Sequence, residues 1–215
     1  MAGARFRTLH VVTYGRSGST LLMGLLNSID GYLIRGENLN CFEHLRRFKE
    51  DLRRTRQREG ADTTFAWFNA LDEARILRSL AQVQRDVLAV GPDVRVYGFK
   101  EIRYIDMKRK EMFALLDFLS QLDPPAAVVF NTRNWDQVRR SKWWAKLSAR
   151  TVRRRIRRFE GSMEKYMAAH PERCFRIDYA DVVGGTDRVR KLFEFLGEEF
   201  DAEAYRKVLQ VRHSF

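Results

Sequence analysis

Apolar residues in this chain alternate between two rhythms. Short, nearly continuous apolar runs at residues 6–14, 32–35, 94–99, 126–131 and 174–177 read as strands buried on both faces. Between them, apolar positions recur every three or four residues, which is the spacing of a helix with one inward face. Phe42, Leu45, Phe48 and Leu52 follow it, as do Ala74, Leu77, Leu80 and Val83, so residues 41–88 read as mostly helical. A helix over 17–28 ends at Gly31, and the stripe of Met112, Leu115, Leu116 and Leu119 must stop by Pro124-Pro125. A long basic helix is predicted over 135–166, and a closing helix over 187–196 with Gly197 as its C-terminal cap. Strands alternating with helices predict an α/β fold, a mostly parallel five-stranded sheet with helices on both faces. Such sheets bind ligands beyond the carboxyl ends of their strands.

Beyond the first strand lies Thr13-Tyr14-Gly15-Arg16-Ser17-Gly18-Ser19-Thr20. The first N–H groups of the following helix have no intrahelical partner, and its dipole puts partial positive charge there, so anions are favoured. Gly15 and Gly18 let the main chain curl around a phosphate, Ser17, Ser19 and Thr20 add hydroxyls, and Arg16 adds a permanent cation. A nucleotide-hydrolysing loop carries GxxxxGK[ST], whose lysine reaches the β- and γ-phosphates. Here Ser19 stands in that lysine's place. The loop therefore reads as a phosphate cradle without the usual metal-triphosphate apparatus, or as a plain Gly/Ser turn that binds nothing.

At 215 residues and 45% hydrophobic, the chain is long and apolar enough for one domain, taken as residues 1–215. Cys41 and Cys174 form no metal or CxxC pattern and suit a reducing, cytoplasmic setting. No apolar run approaches the roughly 20 residues a membrane span requires. The net charge of +12 creates a field that attracts anions and concentrates over 46–58 and 133–158. The second stretch reads either as a solvated helix face or as an anion-binding surface.

Three features together resemble the sulfotransferases that use 3′-phosphoadenosine 5′-phosphosulfate, in their bacterial and carbohydrate-type branch. They are YGRSGST after the first strand, Arg133 after an apolar strand with Ser141 eight residues later, and the stretch FRIDYADVVGGTDRVRKLFEFLG. The resemblance runs from the first strand to Gly197 and implies a P-loop-like sulfotransferase fold. Residues 41–93 match no motif of the family and are expected to form a helical, substrate-side insertion.

The resemblance also implies roles. Gly15, Arg16, Ser17, Gly18, Ser19 and Thr20 would bind the donor's 5′-phosphosulfate, with Arg16 also catalytic beside the bridging oxygen that gains charge as the S–O bond breaks. Arg133 and Ser141 would grip the 3′-phosphate, and the product would be adenosine 3′,5′-bisphosphate. Glu37 is the candidate base for the acceptor hydroxyl, with His44 as its rival, and Lys100 would stabilise the sulfuryl oxygens or orient the acceptor unless it only pairs with Glu101 or Glu37. Arg103 is a weaker candidate. Trp135, Trp143 and Trp144 are either adenine-stacking or core residues, and the tail from Val211 lies where relatives close over the donor. No metal, nucleic acid or membrane span is expected; the sequence does not name the acceptor, whose hydroxyl could belong to a carbohydrate, a lipid, a peptide tyrosine or a small metabolite. Two other readings remain at this point: a P-loop nucleoside or small-molecule kinase, and a basic nucleic-acid-binding protein using residues 133–158.

Overall fold

The strands that periodicity marks out assemble into a single parallel sheet in the computed structural model, which describes residues 4–59 and 70–211. They are β1 (Thr8–Val12), β2 (Tyr32–Arg35), β3 (Val96–Glu101), β4 (Ala126–Thr132) and β5 (Cys174–Asp178), in the order β2-β3-β1-β4-β5. Every residue of β1, β3 and β4 is buried, which is why these segments read as unbroken apolar runs and not as alternating ones.

Helices α2 (Phe42–Glu59), α3 (Glu73–Val87), α4 (Arg109–Leu122) and α6 (Ala149–Ala169) cover one face of the sheet, around Val12, Phe99 and Phe130. On the other face α1 (Ser19–Leu26), α7 (Tyr179–Gly184), α8 (Asp187–Leu196) and α9 (Ala202–Gln210) pack on Leu9, Val11 and Val129. Both layers leave the carboxyl ends of the strands open.

The structure differs from the pattern-based reading in three places that matter for the site. The long helix predicted over 135–166 is three pieces: α5 (Trp135–Arg139), a 3-10 turn (Lys142–Lys146) and α6. Local capping breaks it, since Asn134 accepts from the Asp136 amide and Ser148 from the Thr151 amide, each opening a new helix. Between the pieces the chain turns Trp144 wholly inward, where its indole N–H donates to the Gly15 carbonyl at 2.9 Å. β3 runs two residues further than the apolar pattern, so Lys100 and Glu101 belong to the strand and not to the loop after it. Finally, α7 and α9 are additional helices, started by the side chains of Asp178 and Asp201.

His10 sits on β1 with no exposure and no hydrogen-bond partner for either ring nitrogen, and burial pushes its pKa down to about 3. An unfolded histidine takes up a proton below about 6.5, whereas the folded one does not until far lower pH. Stability from this group is therefore complete above pH 6.5 and is lost as pH falls towards 3. Between pH 6.5 and 5 the loss is expected to be about 1.5 kcal/mol, with a limiting slope of ~1.4 kcal/mol per pH unit. Urea denaturation at several pH values checks this, and His10→Leu should flatten the slope in that window.

Candidate active site

The loop between β1 and α1 is fastened from both sides before any ligand is considered. Thr13 donates from its hydroxyl to the Asn131 carbonyl at 2.7 Å and shares a hydroxyl contact of 2.7 Å with Ser17. The Tyr14 phenol donates to the Arg133 carbonyl at 2.8 Å and accepts from the Arg133 amide at 2.9 Å. Burial pushes the pKa of that phenol up and keeps it a donor. With its ends tied down, the loop curls through left-handed backbone at Arg16 (φ 68°) and Gly18 (φ 81°), and Gly18 opens α1.

Gly18 has a second constraint. A Cβ there would lie 2.1 Å from the ring of Tyr179, so the bare backbone and the ring pack face to face. The same ring carries the Arg133 guanidinium at 4.0 Å. Gly18→Ala should lose about 1–2 kcal/mol from backbone conformation alone. It also displaces the Tyr179 ring, so a melting curve should show a loss of at least that size.

The loop forms the floor of a cavity of about 670 Å³ at the carboxyl ends of the strands. Gly15, Arg16, Gly18, Ser19, Thr20, Glu37, Lys100, Arg133 and Ser141 all line it. Ser17 does not: its side chain is fully buried against Thr13, so it braces the loop instead of offering a hydroxyl to the cavity.

Two polar groupings face this space. In one, Arg16 donates through Nε to the Ser141 hydroxyl at 2.8 Å, and Arg133 donates to the Arg16 carbonyl at 3.3 Å and to Gln137 at 3.0 Å. Among the described residues neither guanidinium is paired with a carboxylate, so two adjacent cations point charge into the cavity. In the other, Lys100 donates to Oε1 of Glu37 at 2.7 Å. Lys100 is nearly buried, while the Glu37 side chain is 36% exposed. Of the two pairings read from sequence, Lys100 therefore makes the one with Glu37, and Glu101 turns to backbone amides.

Other candidates lie elsewhere. His44 is exposed on α2 and Arg103 lies beside Glu101, and neither lines the cavity. Trp144 is core and Trp135 packs under Arg153, leaving Trp143 as the tryptophan that borders the cavity. No described residue of α2 or α3 lines the cavity, and residues 60–69 of the stretch expected to face the substrate lie outside the described residues. The basic run over 133–158 is dispersed: Arg139 and Arg140 pair with Asp136, Arg155 with Asp106, and Arg158 donates to the Ile105 carbonyl, while Arg150, Arg154 and Arg157 stay exposed. Val211 lines the cavity, and residues 212–215 of the tail lie outside the described residues.

Sequence reasoning missed Tyr179, Ile102, Val183 and Leu209, which complete the walls. For Tyr179 a signal existed, because it follows the last strand directly, where ligands of parallel sheets gather. For Leu209 there was none, since α9 was not recognised.

A parallel α/β sheet with an anion-favouring loop after its central strand, and Arg133 beyond the neighbouring strand, belongs to the class of P-loop-like α/β proteins that present positive charge to a ligand. Residues 9–202 match the sulfotransferase family, and the chain belongs to it. No curated protein matches the chain significantly. Among solved structures, the sulfotransferase domain from the curacin biosynthetic pathway superposes with a TM-score of 0.59 at 19% identity, covering 99% of this chain and 80% of that one. That likeness supports the fold. Retinol dehydratase in complex with androsterone and inactive cofactor PAP aligns with a TM-score of only 0.40 at 17% identity, over 94% of this chain and 63% of that one. Among the described residues no helix is long and apolar enough to cross a membrane.

Proposed function

We propose that this sulfotransferase takes its sulfuryl group from 3′-phosphoadenosine 5′-phosphosulfate and delivers it to the hydroxyl of a small molecule or glycan. The observation that carries the reading is one cavity with two chemistries: the uncompensated cations Arg16 and Arg133 beside the loop, and the Glu37–Lys100 pair across from them. The residues fit such a donor. Arg16 and Arg133 offer two cations, and Ser19, Thr20 and Ser141 line the same cavity with hydroxyl-bearing side chains.

When bound, the donor supplies an activated sulfuryl group on a phosphate leaving group. The amides at the start of α1, with Ser19 and Thr20, hold the 5′ end, while Arg133 and Ser141 hold the 3′-phosphate. Arg16 leaves the loop at the 5′ end while its guanidinium bonds to Ser141; turned to the leaving oxygen of a bound donor, that cation would stabilise developing charge more in the transition state than in the ground state. Glu37 has one oxygen engaged by Lys100, and its other carboxylate oxygen, with no partner among the described residues, would take the acceptor's proton. Lys100 keeps Glu37 in place and adds positive charge where the sulfuryl oxygens pass. Trp143 and Ile102 give the cavity an apolar border. The free thiols of Cys41 and Cys174 suit a reducing compartment, and we place the reaction in the cytoplasm.

A mass-spectrometric screen tests the assignment, offering the donor with panels of sugars, lipids and aromatic or aliphatic alcohols. Products gaining a sulfuryl group are expected from at least one panel. Transfer of a phosphoryl group from ATP in its place would overturn the reading.

A further inference from the structure

Glu101, the last residue of β3, is a carboxylate with no exposure to solvent. Such a charge is costly to bury unless its lone pairs are filled, and here backbone amides fill them. Oε1 accepts from Ile102 at 2.8 Å and Arg103 at 3.0 Å, while Oε2 accepts from Asn38 at 3.0 Å and Asn40 at 3.2 Å. The Arg103 guanidinium stands 3.9 Å away, beyond hydrogen-bonding distance.

The four amides belong to two segments. Ile102 and Arg103 follow Lys100 and Glu101 on the way out of β3; Asn38 and Asn40 follow Glu37 on the way out of β2. This second segment does not hold its own shape cheaply. Leu39 and Asn40 both adopt left-handed backbone, with φ of 58° and 56°, and the Asn38 side-chain amide makes no hydrogen bond. The bonds that reach it from β3 are those of Glu101 to its backbone and of Lys100 to the Glu37 carboxylate. Adjacent residues of one strand point to opposite faces of the sheet. Lys100 therefore meets the loop from the cavity side while Glu101 grips it from the other.

We infer that Glu101 is the positioning residue of the base: its buried carboxylate fixes the 37–40 loop so that Glu37 is presented to the cavity beside Lys100. This rests on the reading of Glu37 as the base. Glutamine at position 101 has one acceptor oxygen and would turn an NH₂ group towards two backbone N–H donors, so half of the clamp is lost and replaced by repulsion.

The test uses the full chain with Glu101→Gln, Glu101→Asp and Glu37→Gln, read in three ways. Amide hydrogen exchange reports the loop, titration with adenosine 3′,5′-bisphosphate reports donor-site integrity, and hydrolysis of the radiolabelled phosphosulfate donor, with water as acceptor, reports turnover. For Glu101→Gln, exchange in peptides covering residues 36–41 should rise at least tenfold, bisphosphate affinity should stay within twofold, and turnover should fall at least tenfold. Glu101→Asp keeps the charge with a shorter reach and should lie between this variant and the wild type. It carries the same comparison if the glutamine variant does not fold. Unchanged loop exchange, or faster exchange with undiminished turnover while Glu37→Gln is inactive, overturns the inference. Full turnover in Glu37→Gln would instead remove the base assignment, and the exchange data would still report whether Glu101 clamps the loop.

Discussion

Replacing Arg133 and Ser141 together by alanine is expected to weaken binding of adenosine 3′,5′-bisphosphate about 100-fold or more at physiological salt. Hydrogen bonds to charged groups contribute about 1.5–3 kcal/mol each, and a guanidinium with a hydroxyl partner supplies more than one of them to a dianion. The guanidinium is held in place before the ligand arrives, by the Tyr179 ring at 4.0 Å, by Gln137 at 3.0 Å and by the Arg16 carbonyl at 3.3 Å. Little of the binding energy is then spent on ordering it. Calorimetric titration should show the loss, and Arg150→Ala, which removes an exposed charge from α6, serves as the control for the general positive field. If the double variant binds as the wild type does, or if Arg150→Ala loses as much, these residues do not form the 3′-phosphate site.

The second large effect is expected from Glu37→Gln, which should lower turnover by roughly 10²- to 10⁴-fold, the range a positioned general base contributes. Glutamine is nearly isosteric, and its side-chain oxygen can still accept from Lys100, so the nearly buried ammonium is not stranded. Affinity for the bisphosphate should therefore hold within about twofold, which separates a chemical defect from a binding defect. His44→Ala, by contrast, should leave turnover unchanged, since His44 is exposed on α2 and outside the cavity lining. Steady-state rates with an acceptor from the screen decide between the two residues. A large loss in the histidine variant with an active glutamine variant would reverse the assignment.

Much of the site was legible because its residues follow a rule tied to the backbone. Gly15, Arg16, Gly18, Ser19, Thr20, Glu37, Lys100 and Arg133 lie at or just beyond the carboxyl ends of strands, where a parallel sheet must present its ligand groups, and strand ends can be read from apolar runs. Ser141 came from spacing to Arg133 and falls where α5 gives way to the 3-10 turn. What was not legible depended on contacts that form only once the chain has folded. Ser17 looked like a ligand hydroxyl because its type and place suit one, yet Thr13 turns it inward. The break between α5 and α6 was hidden because the basic residues around it suit a helix, while the force that bends the chain is the burial of Trp144 against Gly15. Glu101 read only as a possible partner for Lys100, because the amides it binds come together only once β2 and β3 are paired.

The strand order has a consequence for how this enzyme could change what it modifies. β1 is the midline of the sheet: β4 and β5 lie on one flank and carry Arg133 and the approach to Tyr179, while β3 and β2 lie on the other and carry Lys100, Glu101 and the approach to Glu37. On the roles assigned above, donor recognition and proton handling are thus separate inheritances that meet along one border, the 13–20 loop. Exchanging the β2–β3 flank between relatives would carry Glu37, Lys100 and Glu101 across as one unit and leave the contacts of Arg133 untouched. The converse exchange would have to rebuild the contacts of Tyr14, Trp144 and Tyr179 together, because those three side chains bind the donor flank to the loop itself.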